Sequence, residues 1–130
     1  MHKRAQLWIQ VSNREQSMAN VLSRADLFEG AVLHAQRAAA SALAAIFAHH
    51  GWARTSDLCA DLCAMLEAHD VVPPTDVLDA ARRLDARLAE LDPEAGSEAP
   101  SRACTADRAA ACLAATKSVR SFVNAFLSKY

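Results

Sequence analysis

The residues best suited to chemistry sit close together. His34, Gln36 and Arg37 fall within a single helical turn. An imidazole changes charge near neutral pH, and a guanidinium grips phosphate through paired N–H groups. Read functionally, the three form an inward polar cluster at a groove or dimer seam, with Arg37 holding a nucleotide or phosphate. Read structurally, His34 stands at the edge of an apolar stripe and makes a hydrogen bond across the bundle or a dimer. Cys59 and Cys63 are also one turn apart, with His49 and His50 shortly before them. Two thiolates and two imidazoles would complete a tetrahedral zinc shell. Cys-x3-Cys inside an amphipathic helix reads equally as two small buried hydrophobes, and Cys104 and Cys112 show no ligand spacing. The expectation is no metal and no cofactor.

Arginines supply the remaining chemistry. Arg82, Arg83 and Arg87 crowd one segment, and Arg102, Arg108, Lys117, Arg120 and Lys129 follow. If these segments are neighbours, their outer surface is a modest basic patch for phosphates. Asp79, Asp85 and Glu90 are interleaved with the first group, which is also the pattern of a solvated face with local ion pairs. No aromatic platform accompanies the patch, which argues against single-strand stacking there. His34, Arg37, Arg82 and Arg83 are the candidate ligand-binding residues. No catalytic residue is assigned.

Five helices must position these groups, with no strand between them. The first is read over about Lys3 to Ser23, with Leu7, Val11, Met18 and Leu22 on its inner face. Asp26 caps a long second helix that Gly51 ends in a left-handed conformation. Its stripe is Phe28, Val32, Ala35, Ala39, Ala42 and Ile46, at alternating steps of four and three. Thr55 or Ser56 caps a short third helix over Asp57 to about His69, facing inward through Leu58, Leu62, Met65 and Leu66. Pro73 and Pro74 interrupt the chain, and Thr75 caps a fourth helix lined by Val77, Ala81, Leu84, Leu88 and Leu91. Asp92 to Ala103 is the one long loop. Thr105 starts the last helix, whose stripe is Ala109, Cys112, Thr116, Val119, Val123, Phe126 and Tyr130.

Composition agrees with this reading. Thirty of the 130 residues are alanine, against 3 glycines and 7 aromatics, a balance that disfavours sandwiches and barrels and favours close-packed helices. The 14 basic and 15 acidic residues nearly cancel, so no global field drives nucleic-acid binding. Four cysteines are too few for a disulfide scaffold. The longest apolar stretch, Ala38 to Ala48, is about half a bilayer span, so no membrane and a cytoplasmic setting are expected. The whole chain, 1–130, reads as one all-α domain. It is expected to be an up-and-down antiparallel four-helix bundle, packed at about 20°, with the short third helix as an extra connector. Thin alanine stripes leave apolar surface that a homodimer would cover.

The second helix carries a resemblance. Leu27-Phe28-Glu29-Gly30-Ala31-Val32-Leu33-His34-Ala35-Gln36-Arg37-Ala38-Ala39, with Ala42-Leu43 and Ala45-Ile46, resembles the second helix of HEPN domains. The order continues through Gly51, Ser56-Asp57-Leu58, Ala81-Arg82-Arg83-Leu84-Asp85, Leu91-Asp92-Pro93-Glu94 and the run Phe122, Val123, Phe126, Leu127. The resemblance implies the bundle fold and dimerisation. HEPN ribonucleases place an arginine four to six residues before a histidine near the last helix, and no histidine here lies beyond His69. Ala40 and Ala44 stand where the family has Glu and Lys. Without that histidine the family's RNA cleavage has no evident performer.

The resulting expectation is a non-catalytic HEPN-like binding module. It would engage nucleotide, RNA or a nucleotidyltransferase partner of toxin–antitoxin type through a homodimer cleft. Two alternatives stay open. One is a metal-independent endoribonuclease with a displaced site, using Arg102 or Arg108 and a histidine from the other protomer. The other follows from His34-x-x-Arg37, which resembles histidine phosphotransfer domains and needs an imidazole open to solvent.

Overall fold

A computed structural model describes residues 1–92, 94 and 104–130. They form five helices and no strand: α1 (Lys3–Arg24), α2 (Phe28–His50), α3 (Cys59–Glu67), α4 (Thr75–Ala89) and α5 (Ala106–Leu127). The expected loop from Asp92 to Ala103 lies mostly outside the described residues.

α1 and α2 form an antiparallel hairpin. Ser12 Oγ donates to the Ala38 carbonyl at 2.7 Å, Glu15 meets His34, and Leu22 packs on Gly30, so partners recede along α2 as α1 advances. A Cβ at Gly30 would lie 2.9 Å from Leu22 Cδ1, and it is this bare position that brings the helices so close at the turn. α2 and α5 run parallel. Thr116 Oγ1 donates to the Ala35 carbonyl at 2.8 Å, and His50 meets Phe126 and Tyr130 farther along both helices. α4 lies between them in sequence and packs on both, giving the up-and-down bundle.

Alanine decides the cross-section. Ala31, Ala35, Ala38, Ala39 and Ala42 are buried along α2, and Ala109, Cys112 and Ala115 along α5. Such small side chains let these two helices meet through the middle of the bundle. α2 is consequently enclosed on nearly every side, from Ala31 to Phe47, more than the single expected stripe. It is long and apolar enough to cross a membrane, but 78% of its most apolar window is buried inside the bundle. α1 and α4 flank α2 without touching each other. A cleft opens between them.

Several local expectations are corrected. The inward face of α1 is Ala5, Ser12 and Ala19, a seven-residue repeat of small side chains, while Leu7 (52% exposed), Val11 and Met18 face outward. Leu58 is likewise exposed. Asp26 does not cap α2. It takes a left-handed conformation at φ 60°, and Leu27 occupies the cap position with no side-chain hydrogen bond. Thr75 is the first residue of α4, not its cap. α3 starts at Cys59, and neither Thr55 nor Ser56 caps it. By contrast, Gly51 closes α2 at φ 71° and Thr105 caps α5 by accepting from the Arg108 amide.

Candidate functional site

The cleft between α1 and α4 has its floor on α2. Leu33, Gln36, Arg37, Ala40, Ser41 and Ala44 form the floor, with spacings of three and four that place them on one face of the helix. Trp8 and Glu15 of α1 form one wall. Leu88 of α4 and the α2–α3 connection, through Arg54, Asp57 and Leu58, form the other. The cavity measures about 400 Å³. Its surface is mainly apolar, with charge at the rim.

The polar residues of α2 take three different roles here. Gln36 is buried and structural: its Nε2 donates to the Asp57 carbonyl at 3.1 Å and to Asp85 Oδ1 at 3.2 Å. Asp85, on α4, accepts from the Cys59 and Ala60 amides at 2.9 and 2.8 Å. Those amides open α3, so Asp85 caps it from a different helix. His34 turns to α1, where its Nδ1 lies 2.5 Å from Glu15 Oε2. Only 15% of the His34 side chain is accessible, so the imidazole that phosphotransfer needs open is largely covered. Arg37 alone of the three faces the cleft with no hydrogen bond or ion pair among the described residues.

Sequence reasoning missed Trp8, Glu15 and Arg54. The Arg54 guanidinium sits 4.5 Å from the Trp8 ring centre and 2.8 Å from Asp57 Oδ1. It is a second cation at the rim, held in place by a ring and a carboxylate. No local signal joins residues 8 and 54; only the hairpin and the connection bring them together.

Arg82 and Arg83 do not join this site. Both are exposed on α4, and neither lines the cleft. Arg82 lies 3.8 Å from Asp79, and Arg87 donates to both oxygens of Glu90 at 2.7 and 3.0 Å. Two of the interleaved acids, Asp79 and Glu90, therefore pair with arginines as a solvated helix face does, while Asp85 turns inward. Arg120 turns inward, donating through Nε to Ser12 Oγ at 3.1 Å and through a terminal nitrogen to Asn13 Oδ1. Burial lowers its pKa from the usual arginine value. Arg102 lies outside the described residues, and Arg108 sits in the first turn of α5.

The cysteines behave as small apolar side chains. Burial, followed by the nearby Asp85 carboxylate, pushes the Cys59 thiol well up and Cys63 up to about 11. Burial does the same to Cys112, also to about 11. Such thiols are poor metal ligands and nucleophiles. Their would-be imidazole partners are engaged elsewhere: His50 stacks on Trp52, and His49 lies tilted against Tyr130. Among the described residues no three histidine, cysteine or acidic groups converge on a common point.

Two solved structures share the architecture. The crystal structure of TT1696 from Thermus thermophilus superposes with a TM-score of 0.85 at 24% identity, covering 95% of this chain and 98% of that one. ST0689, an archaeal HEPN homologue, gives 0.77 at 22% identity with the same coverage. No curated protein sequence matches the chain significantly. The HEPN domain model matches residues 5–126, nearly the full length. With fold and sequence pattern in agreement, the chain belongs to the HEPN domain family, a nucleotide- and RNA-related module.

Proposed function

We propose that this chain is a non-catalytic HEPN binding module, homodimeric and cytoplasmic. It receives a nucleotide, an RNA segment or a nucleotidyltransferase partner of toxin–antitoxin type in the cleft on α2. The observation that carries this reading is the placement of Arg37 and Arg54 at the rim of an alanine-floored cleft. Two guanidinia can take phosphate oxygens while the Trp8 ring and the apolar floor take a base or a partner's side chain. The floor also supports the non-catalytic reading. Ala40 and Ala44, where the family carries a charged pair, both line the cleft, and neither can move a proton or hold a charge.

The homodimer reading is supported by the outward face of α1. Leu7, Val11 and Met18 lie beside the Trp8 and Glu15 wall on the helix wheel, extending the apolar surface of the cleft. A second copy laid there would close the cleft and double its arginines.

The test pairs binding with chemistry. Labelled RNA and a fluorescent adenine nucleotide are titrated into wild-type protein and Arg37→Ala, and the RNA is run on a denaturing gel. The expected result is intact RNA with affinity falling about tenfold in the variant, the scale of one charge-assisted contact. RNA cleavage that disappears in His34→Ala would replace the binding module with an enzyme.

A further inference from the structure

A second assembly lies at the end of the bundle where α2 finishes. Its centre is a column of three flat rings. His50 stacks on Trp52 at 4.2 Å with 15° between planes, and Trp52 stacks on His69 at 4.0 Å and 4°. His50 forms the inner end, in contact with His49, Phe126 and Tyr130. His69 forms the outer end. It is exposed, carried by the turn that Asp70 closes at φ 62°, and among the described residues no ring covers its far face. Tyr130 is a further exposed ring beside His49 at 4.4 Å.

Cations gather near the inner end of this column. The His2 amide donates to His49 Nδ1 at 3.0 Å, which brings the start of α1, with exposed Lys3 and Arg4, to the same end. Lys129 lies 5.5 Å from the Phe126 ring. Four of the five histidines thus gather with three basic side chains and two accessible aromatic rings, and Glu67 and Asp70 are the acids nearest in the chain to His69.

We propose that this end of the bundle binds single-stranded RNA, with a base continuing the ring column on His69 and adjacent phosphates held by Lys3, Arg4 and Lys129. The column already holds planar rings at stacking separation, and every base has a face that fits such a site. Basic side chains next to stacking rings are the arrangement that tracks an unpaired backbone. A duplex offers no free base face, so the site discriminates against it. The proposal is independent of the cleft.

The chain's two tryptophans make the test direct, since Trp8 lines the cleft and Trp52 the column. A single-stranded decanucleotide RNA is titrated into 15N-labelled protein, and both indole N–H signals are followed. The Trp52 signal is expected to move whether or not Trp8 moves with it. Fluorescence anisotropy then gives the energetics. His69→Ala is expected to weaken binding about tenfold, with Tyr130→Ala as a second surface variant outside the three stacked rings. Replacing Lys3, Arg4 and Lys129 by Gln is expected to flatten the dependence of log affinity on log salt by about 2. A shift confined to Trp8, unchanged affinity in both ring variants, or no binding would overturn the proposal. The first of these would place RNA in the cleft instead, and the proposed cleft function fails separately if Trp8 and Arg37→Ala register no ligand at all.

Discussion

Asp85 shows what a single side chain contributes. Its sequence setting, Leu84-Asp85 on an arginine-rich helix, suggests a surface acid paired with a nearby arginine. Its oxygens instead accept from the Cys59 and Ala60 amides and from Gln36, tying α2, α3 and α4 together. Nothing local to residue 85 announces a cap on a helix 25 residues earlier, which is why the sequence points to Thr55 and Ser56 instead. Asp85→Ala removes the acceptor from two amides at the start of α3 and from the buried Gln36 amide. The expected cost is about 2 kcal/mol, the scale of hydrogen bonds to a charged group. Asp85→Asn, which keeps one acceptor oxygen, is expected to lose about half as much. Urea unfolding measures both, with a shifted midpoint and an unchanged slope. If Asp85→Ala proves neutral, the cap is not a stabilising contact.

At the level of elements, α1 is where sequence pattern and packing part. Periodicity follows large apolar residues, and in α1 these are Leu7, Val11 and Met18. The helix packs instead through Ala5, Ser12 and Ala19, because small side chains allow the close approach that lets Ser12 reach the Ala38 carbonyl. Stripe reading succeeds for most of α4 and α5: Val77, Leu84, Val119 and Val123 are buried as expected, while Tyr130, the last residue of the expected α5 stripe, is exposed beyond the end of the helix. It succeeds only partly for α2, whose alanines are buried on several faces. The outward face of α1 is then the apolar surface that the proposed dimer would cover. Val11→Glu is expected to leave the chain folded, with an unchanged helical circular dichroism spectrum, as exposed substitutions do. The same change should shift sedimentation from twice 14.0 kDa toward 14.0 kDa. A wild-type chain that sediments at 14.0 kDa at micromolar concentration would remove the dimer from the proposed function.

For the molecule as a whole, the packing that builds the ring column also ties its stability to acid. The cleft is readable in part from sequence, since Arg37 already stands out as a phosphate-binding candidate, but its walls come from α1 and α4 standing apart over α2. The ring column is invisible in sequence, because residues 2, 50, 52, 69 and 130 meet only after four helices have packed. That packing has a thermodynamic consequence. Burial first, then the neighbouring His49 and His69, lower the pKa of His50 below its ordinary 6.5. The other groups facing it are the Trp52, Phe126 and Tyr130 rings, and its Nε2 is buried without a hydrogen-bond partner among the described residues. Below pH 6.5 the unfolded chain therefore takes up a proton that folded His50 resists, so acid favours unfolding. The stabilisation is complete above 6.5 and is lost as pH falls through the lowered value. His50→Phe keeps a flat ring in the column and removes the titration. Thermal unfolding between about pH 7.5 and 5 should show the wild type losing stability as pH falls and the variant losing less. Parallel curves for the two proteins would mean that acid acts through other groups and that the column carries no linkage to folding.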